Sequence, residues 1–387
     1  MKKLFKNPVV TTCCVILLFS VSCSKDHTPK KPAKTISNSH EGIWQQNNEF
    51  PVQFKAEISI GDNKELLFPQ TYKMEGPVAD KNGNIYVIDG EKGTMYSFDS
   101  TGTIQWQKGS KGKGPGDFSR PQGLIINEPF LYTSNVQGTR IDKFDLNGNL
   151  VDNHALPEGE SFTSVEGMIN DSLLIITSST WGEAGVHIRA LNINNNYTVS
   201  SDFKVRADPP LELGKGLSFK LNVTVFDSLI SVGNTGNYAL QFYDVNGNFL
   251  KRVERDFEKL VKPGRYHYGD TRTMGSFGAL SAAHPILKDF YLVKLSWPVN
   301  VENPDEYLKK SRNEDSNLPE VKYSHALDLY NRRDTLLYSD TQNGSTPEFG
   351  EITYVSDDGR TIYTKTNDPY PQIRRYSVQL STPEKRQ

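Results

Sequence analysis

A strand that ends in an aromatic residue, an aspartate and a glycine turn recurs along this 387-residue chain, and that recurrence limits the fold more than any other feature. Met95-Tyr96-Ser97-Phe98-Asp99-Ser100-Thr101-Gly102 returns as Ile141-Asp142-Lys143-Phe144-Asp145-Leu146-Asn147-Gly148 and again as Leu240-Gln241-Phe242-Tyr243-Asp244-Val245-Asn246-Gly247. Looser copies centre on Leu191, Tyr330 and Tyr376, which gives six anchors spaced by 46, 47, 52, 87 and 46 residues. A second apolar run precedes each anchor, at Ile85, Leu131, Leu174, Ile230, Tyr291 and Ile362, with offsets of 13, 13, 17, 13, 39 and 14 residues. Two series counted independently keep one register, which scattered apolar runs would not do. A further β-like segment stands before each pair, as in Pro121-Gln122-Gly123-Leu124-Ile125-Ile126 and Glu351-Ile352-Thr353-Tyr354-Val355. Several short strands per unit at a period in the forties indicate propeller blades, which must stack on one another to bury their faces.

The ends of the repeat array supply a second constraint. The sixth unit runs out at Leu380 with no fourth strand left, whereas Val52, Phe54, Ala56, Ile58 and Ile60 alternate with polar residues ahead of the first unit. Pairing that strand with the sixth unit closes the ring and removes two open sheet edges. The expected fold is all-β, a six-bladed β-propeller with four-stranded blades over 46–382, insertions at 251–278 and 298–320, and a tail at 383–387. Thirty Gly and 21 Pro spread along the chain oppose a helical bundle, and 11% aromatic residues exceed what a disordered chain carries. With 44 Lys+Arg against 46 Asp+Glu and no one-sign block, the chain lacks the basic stripe that nucleic acid requires.

The N-terminus reads as an address. Lys2, Lys3 and Lys6 precede an apolar run from Val9 to Phe19 that is shorter than the roughly 20 residues needed to span a bilayer. Residues 1–22 therefore form a signal peptide, with small residues Ser20-Val21-Ser22 before Cys23. The other two cysteines, Cys13 and Cys14, lie within that peptide, so the mature chain has no disulfide partner for Cys23. A sole cysteine at that position looks like the lipid-attachment residue of a bacterial lipoprotein, although Ser20 stands where such sequences usually have Leu. Loss of the three lysines takes the net charge from −2 to −5. Residues 23–45, with Lys25, Lys30, Lys31, Lys34, Pro29 and Pro32, read as a flexible tether.

Gly112-Lys113-Gly114-Pro115-Gly116-Asp117-Phe118, which follows the first Phe-Asp-x-x-Gly unit, resembles an element of the six-bladed β-propeller lipoproteins of Bacteroidota, themselves similar to NHL and TolB-like propellers. The resemblance covers nearly all of the mature chain and implies the propeller fold and a place in the cell envelope, on the outer membrane. Glu75-Gly76-Pro77 resembles the opening of gluconolactonase-type propellers, in which that Glu binds a divalent metal; the same likeness makes Asn222 a second ligand. No Asp stands in the corresponding stretch near Gly278-Ala279-Leu280-Ser281, which leaves Ca²⁺ or another hard cation short of ligands.

Strands in a blade run up and down, so the first-to-second and third-to-fourth turns share one face, and these are all short. The long connections share the other face, where binding residues would concentrate on a rigid scaffold. In the 109–118 loop, Lys111, Lys113 and nearby Arg120 could meet an anion, or the glycines could simply make a tight crossover. Trp181 lies in a second loop. The 251–272 stretch carries seven basic and four acidic residues around Arg265-Tyr266-His267-Tyr268, a patch suited to sugars or acidic ligands. The 302–320 stretch carries six acidic and three basic residues, starts like a helix at Asn303-Pro304, and could instead pair with 251–278 as a lid. The seven histidines show no zinc spacing and no Gly-x-Ser-x-Gly elbow is present. The expectation is a lipid-anchored, non-catalytic binding or scaffold module for a protein or carbohydrate partner, without a cofactor; the alternative is a divalent-metal-dependent lactonase-like hydrolase with Glu75 in the channel.

Overall fold

The computed structural model describes residues 25–26, 34–44, 52–61, 66–156, 163–179, 182, 184–214, 217–234, 237–260, 262–267, 270, 277–313, 318–340 and 349–380. The protein is a six-bladed β-propeller. Blade one comprises Met74–Ala79, Ile85–Asp89, Thr94–Phe98 and Ile104–Lys108, an antiparallel meander that blades two, three and four repeat. In blade five the innermost strand is broken into Ala279–Leu280 and His284–Ile286, both paired with Phe290–Pro298. Blade six takes Glu351–Val355, Thr361–Thr366 and Gln372–Leu380 from the C-terminal end, and Val52–Ile60 as its outer strand, paired antiparallel from Ile373↔Ile60 to Leu380↔Val52.

The repeated motif owes its residue types to the turn between the third and fourth strands. Asp145 Oδ1 accepts the N–H groups of Asn147 and Asn149 at 2.9 and 2.8 Å, and Asp244 does the same for Asn246 and Asn248. Gly102, Gly148 and Gly247 have φ of 89°, 75° and 80°, a region that a side chain disfavours. Each also abuts the outer strand of the preceding blade: a Cβ on Gly148 would lie 2.6 Å from Trp106, and one on Gly247 2.6 Å from Phe203. Gly102 packs in the same way on Ile58 of the N-terminal strand, which therefore serves as the outer strand that blade one needs as a neighbour. Apolar clusters fill every gap between adjacent blades, including Ile60, Phe68, Tyr96 and Ile373 between blades six and one.

Part of the expected tether is instead built into the body. Thr35–Asn38 runs parallel to the outer strand of blade four, from Thr35↔Arg252 to Asn38↔Arg255, and Lys25–Asp26 pairs with the outer strand of blade three. The chain then crosses to blade five, where Trp44 N–H donates to the Leu337 carbonyl at 2.7 Å. This belt covers strand edges that would otherwise be open. It needs Gly42, because a Cβ there would lie 2.3 Å from the Leu337 carbonyl oxygen. Gly42→Val is expected to lift the belt from blade five at a cost of about 1–3 kcal/mol, seen as faster amide exchange over 34–44; unchanged exchange would contradict the contact.

The insertion boundaries also shift, since Lys251 to Arg255 belong to the blade-four strand Phe249–Arg255. Among the described residues, the remainder of that insertion packs with its acidic partner, and a third connection joins them. Glu212–Leu213 pairs in parallel with Arg265–Tyr266, Asp305 accepts from Gly264 N–H, and the helix Pro304–Arg312 starts at Asn303, whose side chain caps Glu306 N–H. Leu217, Tyr266, Phe277, Val301 and Leu308 form the core of this cap.

Candidate binding site

The first strands of the six blades surround a central cavity of about 1320 Å³. Each of these strands begins at the long-connection face and ends at the short-turn face, so Glu75, Glu166, Lys220 and Glu351 lie toward one end and Lys81, Glu128 and Asp227 toward the other. At the short-turn end the charges pair in the open: Lys81 with Glu128 at 3.5 Å, and Arg332 with Asp227 at 2.5 Å.

The other end is richer in chemistry. Glu75 Oε2 accepts the Gly123 N–H at 2.7 Å, a bond from blade one to blade two. The approach of blade three requires Gly123, where a Cβ would lie 2.2 Å from the Val165 carbonyl oxygen. Asn222 donates its amide N–H to the Leu280 carbonyl at 2.7 Å, a corresponding link from blade four to blade five. Lys220 pairs with Glu166 at 2.8 Å. Lys365 pairs with Glu351 at 3.6 Å and donates to the Met74 carbonyl at 3.0 Å, joining blade six to blade one. Lys294 donates to the Gly350 carbonyl, joining blade five to blade six.

Burial shifts the titration of several of these groups. The Glu75 carboxyl faces the cavity but is enclosed by protein, and desolvation pushes it up to about 7 against the opposing pull of Lys365, the Gly123 N–H and Lys220. Desolvation pulls Lys294 down to about 8, and burial beside Lys294 pulls His284 down to about 4. For an acid raised in the folded state, the contribution to stability is full below the unfolded value near 4.5 and is lost as pH rises through about 7. Glu75→Gln is therefore expected to match the wild type at pH 4 and to exceed it at pH 8 by on the order of 1–2 kcal/mol, discounted for its partial exposure. Urea unfolding at both pH values checks this, and an equal difference at both would contradict it.

The metal reading of Glu75 does not fit this environment. Its near neighbours include the ammonium groups of Lys365 and Lys220, and no group of three His, Cys, Asp or Glu side chains that could hold an ion occurs among the described residues. A hard cation needs several oxygen ligands and would be repelled by the lysines.

The residues expected on the loops lie elsewhere. Lys111, Lys113 and Arg120 are exposed on the crossover from blade one to blade two, away from the cavity lining. The glycine loop closes on its own Asp117, which accepts from Ser110 Oγ at 2.6 Å, while Arg140 donates to the Lys113 carbonyl at 3.0 Å. Arg265 is exposed, 3.9 Å from Glu212; His267 is exposed, and its N–H donates to Asp270. Tyr266 is fully buried in the cap. Cys23, Trp181 and Tyr268 lie outside the described residues. Lys294 and Lys365 stand on strands rather than loops, and each interrupts an apolar or hydroxyl-bearing run with a lone charge, in Tyr291-Leu292-Val293-Lys294-Leu295 and Ile362-Tyr363-Thr364-Lys365.

Known proteins agree with this architecture. Residues 70–166 match a family model described as a 6-bladed beta-propeller, DUF5128. A Bacteroides fragilis protein described as exported superposes with a TM-score of 0.54 at 11% identity, covering 90% of this chain and 100% of its own. A member of the DUF4221 family from Bacteroides vulgatus gives 0.53 at 12% identity, covering 86% of this chain and 99% of its own. Identities this low speak to fold alone. No curated protein matches the sequence.

Proposed function

We propose that this protein is an exported, outer-membrane lipoprotein anchored through Cys23, whose propeller is a non-catalytic binding module in the bacterial envelope. The observation that carries the binding reading is the central cavity, lined toward the long-connection face by charged groups that link neighbouring blades. Its lysines and carboxylates are tied into links that hold the ring together, which suits recognition by a rigid site. The cap stands beside this end, since Leu217 and Phe277 of its core lie close in sequence to Lys220 and Ala279 of the cavity lining. A protein or a carbohydrate is the partner class that such a polar opening suits.

Export and anchoring rest on the basic, apolar and small-residue order of 1–22 ahead of a sole mature cysteine. No helix among the described residues is long and apolar enough to cross a membrane. Cell fractionation tests the anchor: wild type is expected with membranes and Cys23→Ala in the soluble fraction, and equal membrane retention of both would refute it.

A further inference from the structure

The charged groups at the long-connection end of the cavity do not all have partners. Glu166 pairs with Lys220 and Glu351 with Lys365, at 2.8 and 3.6 Å. Glu75 is satisfied in part by the Gly123 N–H. Lys294 has the Gly350 carbonyl, but no carboxylate lies within ion-pair distance of it among the described residues. It lines the cavity on blade five, and His284 lines the same wall. Burying an ammonium without a counter-ion is costly unless it loses its proton or a ligand supplies the missing charge. Desolvation correspondingly lowers the Lys294 ammonium, against the opposing pull of Glu351. Lys365 provides an internal comparison: it too reaches the first-strand carbonyl region of the next blade, yet it has Glu351 beside it.

We infer that the cavity takes a carboxylate-bearing ligand whose charged group pairs with the Lys294 ammonium on the wall between blades five and six. Lys294 lacks a carboxylate at ion-pair distance, so its ammonium suits one negative charge, while the Glu351 carboxylate, which acts on it from farther off, repels a second, so a carboxylate is favoured over a phosphate dianion. The size of the cavity leaves room for the carboxylate to be borne on a larger polar body, as in a sugar acid. This inference rests on the binding-module reading and names the chemistry of its ligand.

The test uses the full mature chain, produced unlipidated as Cys23→Ala, in calorimetric titrations with glucuronate, acetate, glucose and inorganic phosphate. Glucuronate is expected to bind more tightly than glucose or phosphate, and acetate distinguishes a sugar acid from a bare carboxylate: weaker binding of acetate shows that the sugar contributes, and equal binding shows that the carboxylate alone is read. Lys294→Met is expected to weaken glucuronate binding about tenfold or more. Because that variant also removes a link between blades, ¹³C-methylated lysine spectra of the unsubstituted Lys294 chain give a second readout. The Lys294 signal is expected to titrate below the surface lysines and to move to higher pH with glucuronate. Phosphate binding as tight as glucuronate, equal affinity in Lys294→Met, a Lys294 signal unmoved by ligand, or no binding by glucuronate would each overturn the inference. Glucuronate binding that is unaffected by Lys294→Met would leave the binding-module reading standing while removing this one.

Discussion

Asp328→Ala is expected to destabilise the propeller by about 3–5 kcal/mol, the cost of leaving a buried charge without its partner. Asp328 accepts from Arg255 Nη1 at 2.9 and 2.7 Å, and both side chains are fully buried. Tyr238 OH donates to the same carboxylate at 2.6 Å, and Tyr330 OH donates to Tyr238 at 2.9 Å, so the network spans blades four and five. Arg255 also donates through Nε to the His40 carbonyl at 3.1 Å, which ties the belt to the ion pair. Removing the carboxylate strands the guanidinium and loosens both the blade contact and the belt. Replacing both charges, as Arg255→Met with Asp328→Leu, is expected to recover much of the loss, because a well-packed apolar pair avoids the desolvation of two ions. Urea midpoints of the three proteins decide it; a double variant as unstable as Asp328→Ala would show that shape, not the stranded charge, sets the cost.

Truncation should separate belt from clasp. A chain beginning at 45 loses the parallel strand on blade four but keeps Val52–Ile60, and is expected to keep the full chain's oligomeric state and unfold cooperatively at a lower temperature. A chain beginning at 62 also loses the outer strand of blade six. Val378 and Tyr376 would then lose their cover, and the Gly102 turn of blade one would lose its packing against Ile58 and Ile60. Blade six becomes incomplete and blade one loses its neighbour, leaving an open edge ready to pair between molecules. That chain is expected to aggregate or melt without a cooperative transition. Size-exclusion chromatography with circular dichroism distinguishes the outcomes, and a cooperative chain from 62 in the full chain's oligomeric state would contradict closure by this strand.

The ring was legible in the sequence where turn chemistry was strict. Three units carry Asp and Gly at fixed spacing because a capped turn with positive φ must pack against a neighbouring blade. The weaker units solve the same problem with other residues. Blade three caps its turn with Asn192 and places Asn196 at φ 49°, and blade five uses Asn331 with Asp334 at φ 66°. The belt was hidden because a Lys- and Pro-rich segment has the composition of a solvated spacer. Its strand Thr35–Asn38 takes its hydrogen bonds from a blade edge more than two hundred residues away. The loop patch misled for the opposite reason: Arg265-Tyr266-His267 has the composition of a binding surface, yet Tyr266 is consumed as core for the cap. Lys294 and Lys365 were visible as isolated charges in strands, but only ring closure places both on one cavity and shows which of them has a carboxylate beside it.

The proposed working end of the channel can be tested directly by site-specific photo-crosslinking in intact cells. A photoreactive side chain at Glu351, which is 65% exposed at the long-connection end, is expected to give a ligand adduct, whereas one at exposed Asn82 on the short-turn face is expected to give none. Adducts at position 82 with none at 351 would place the working surface on the opposite face and contradict the account.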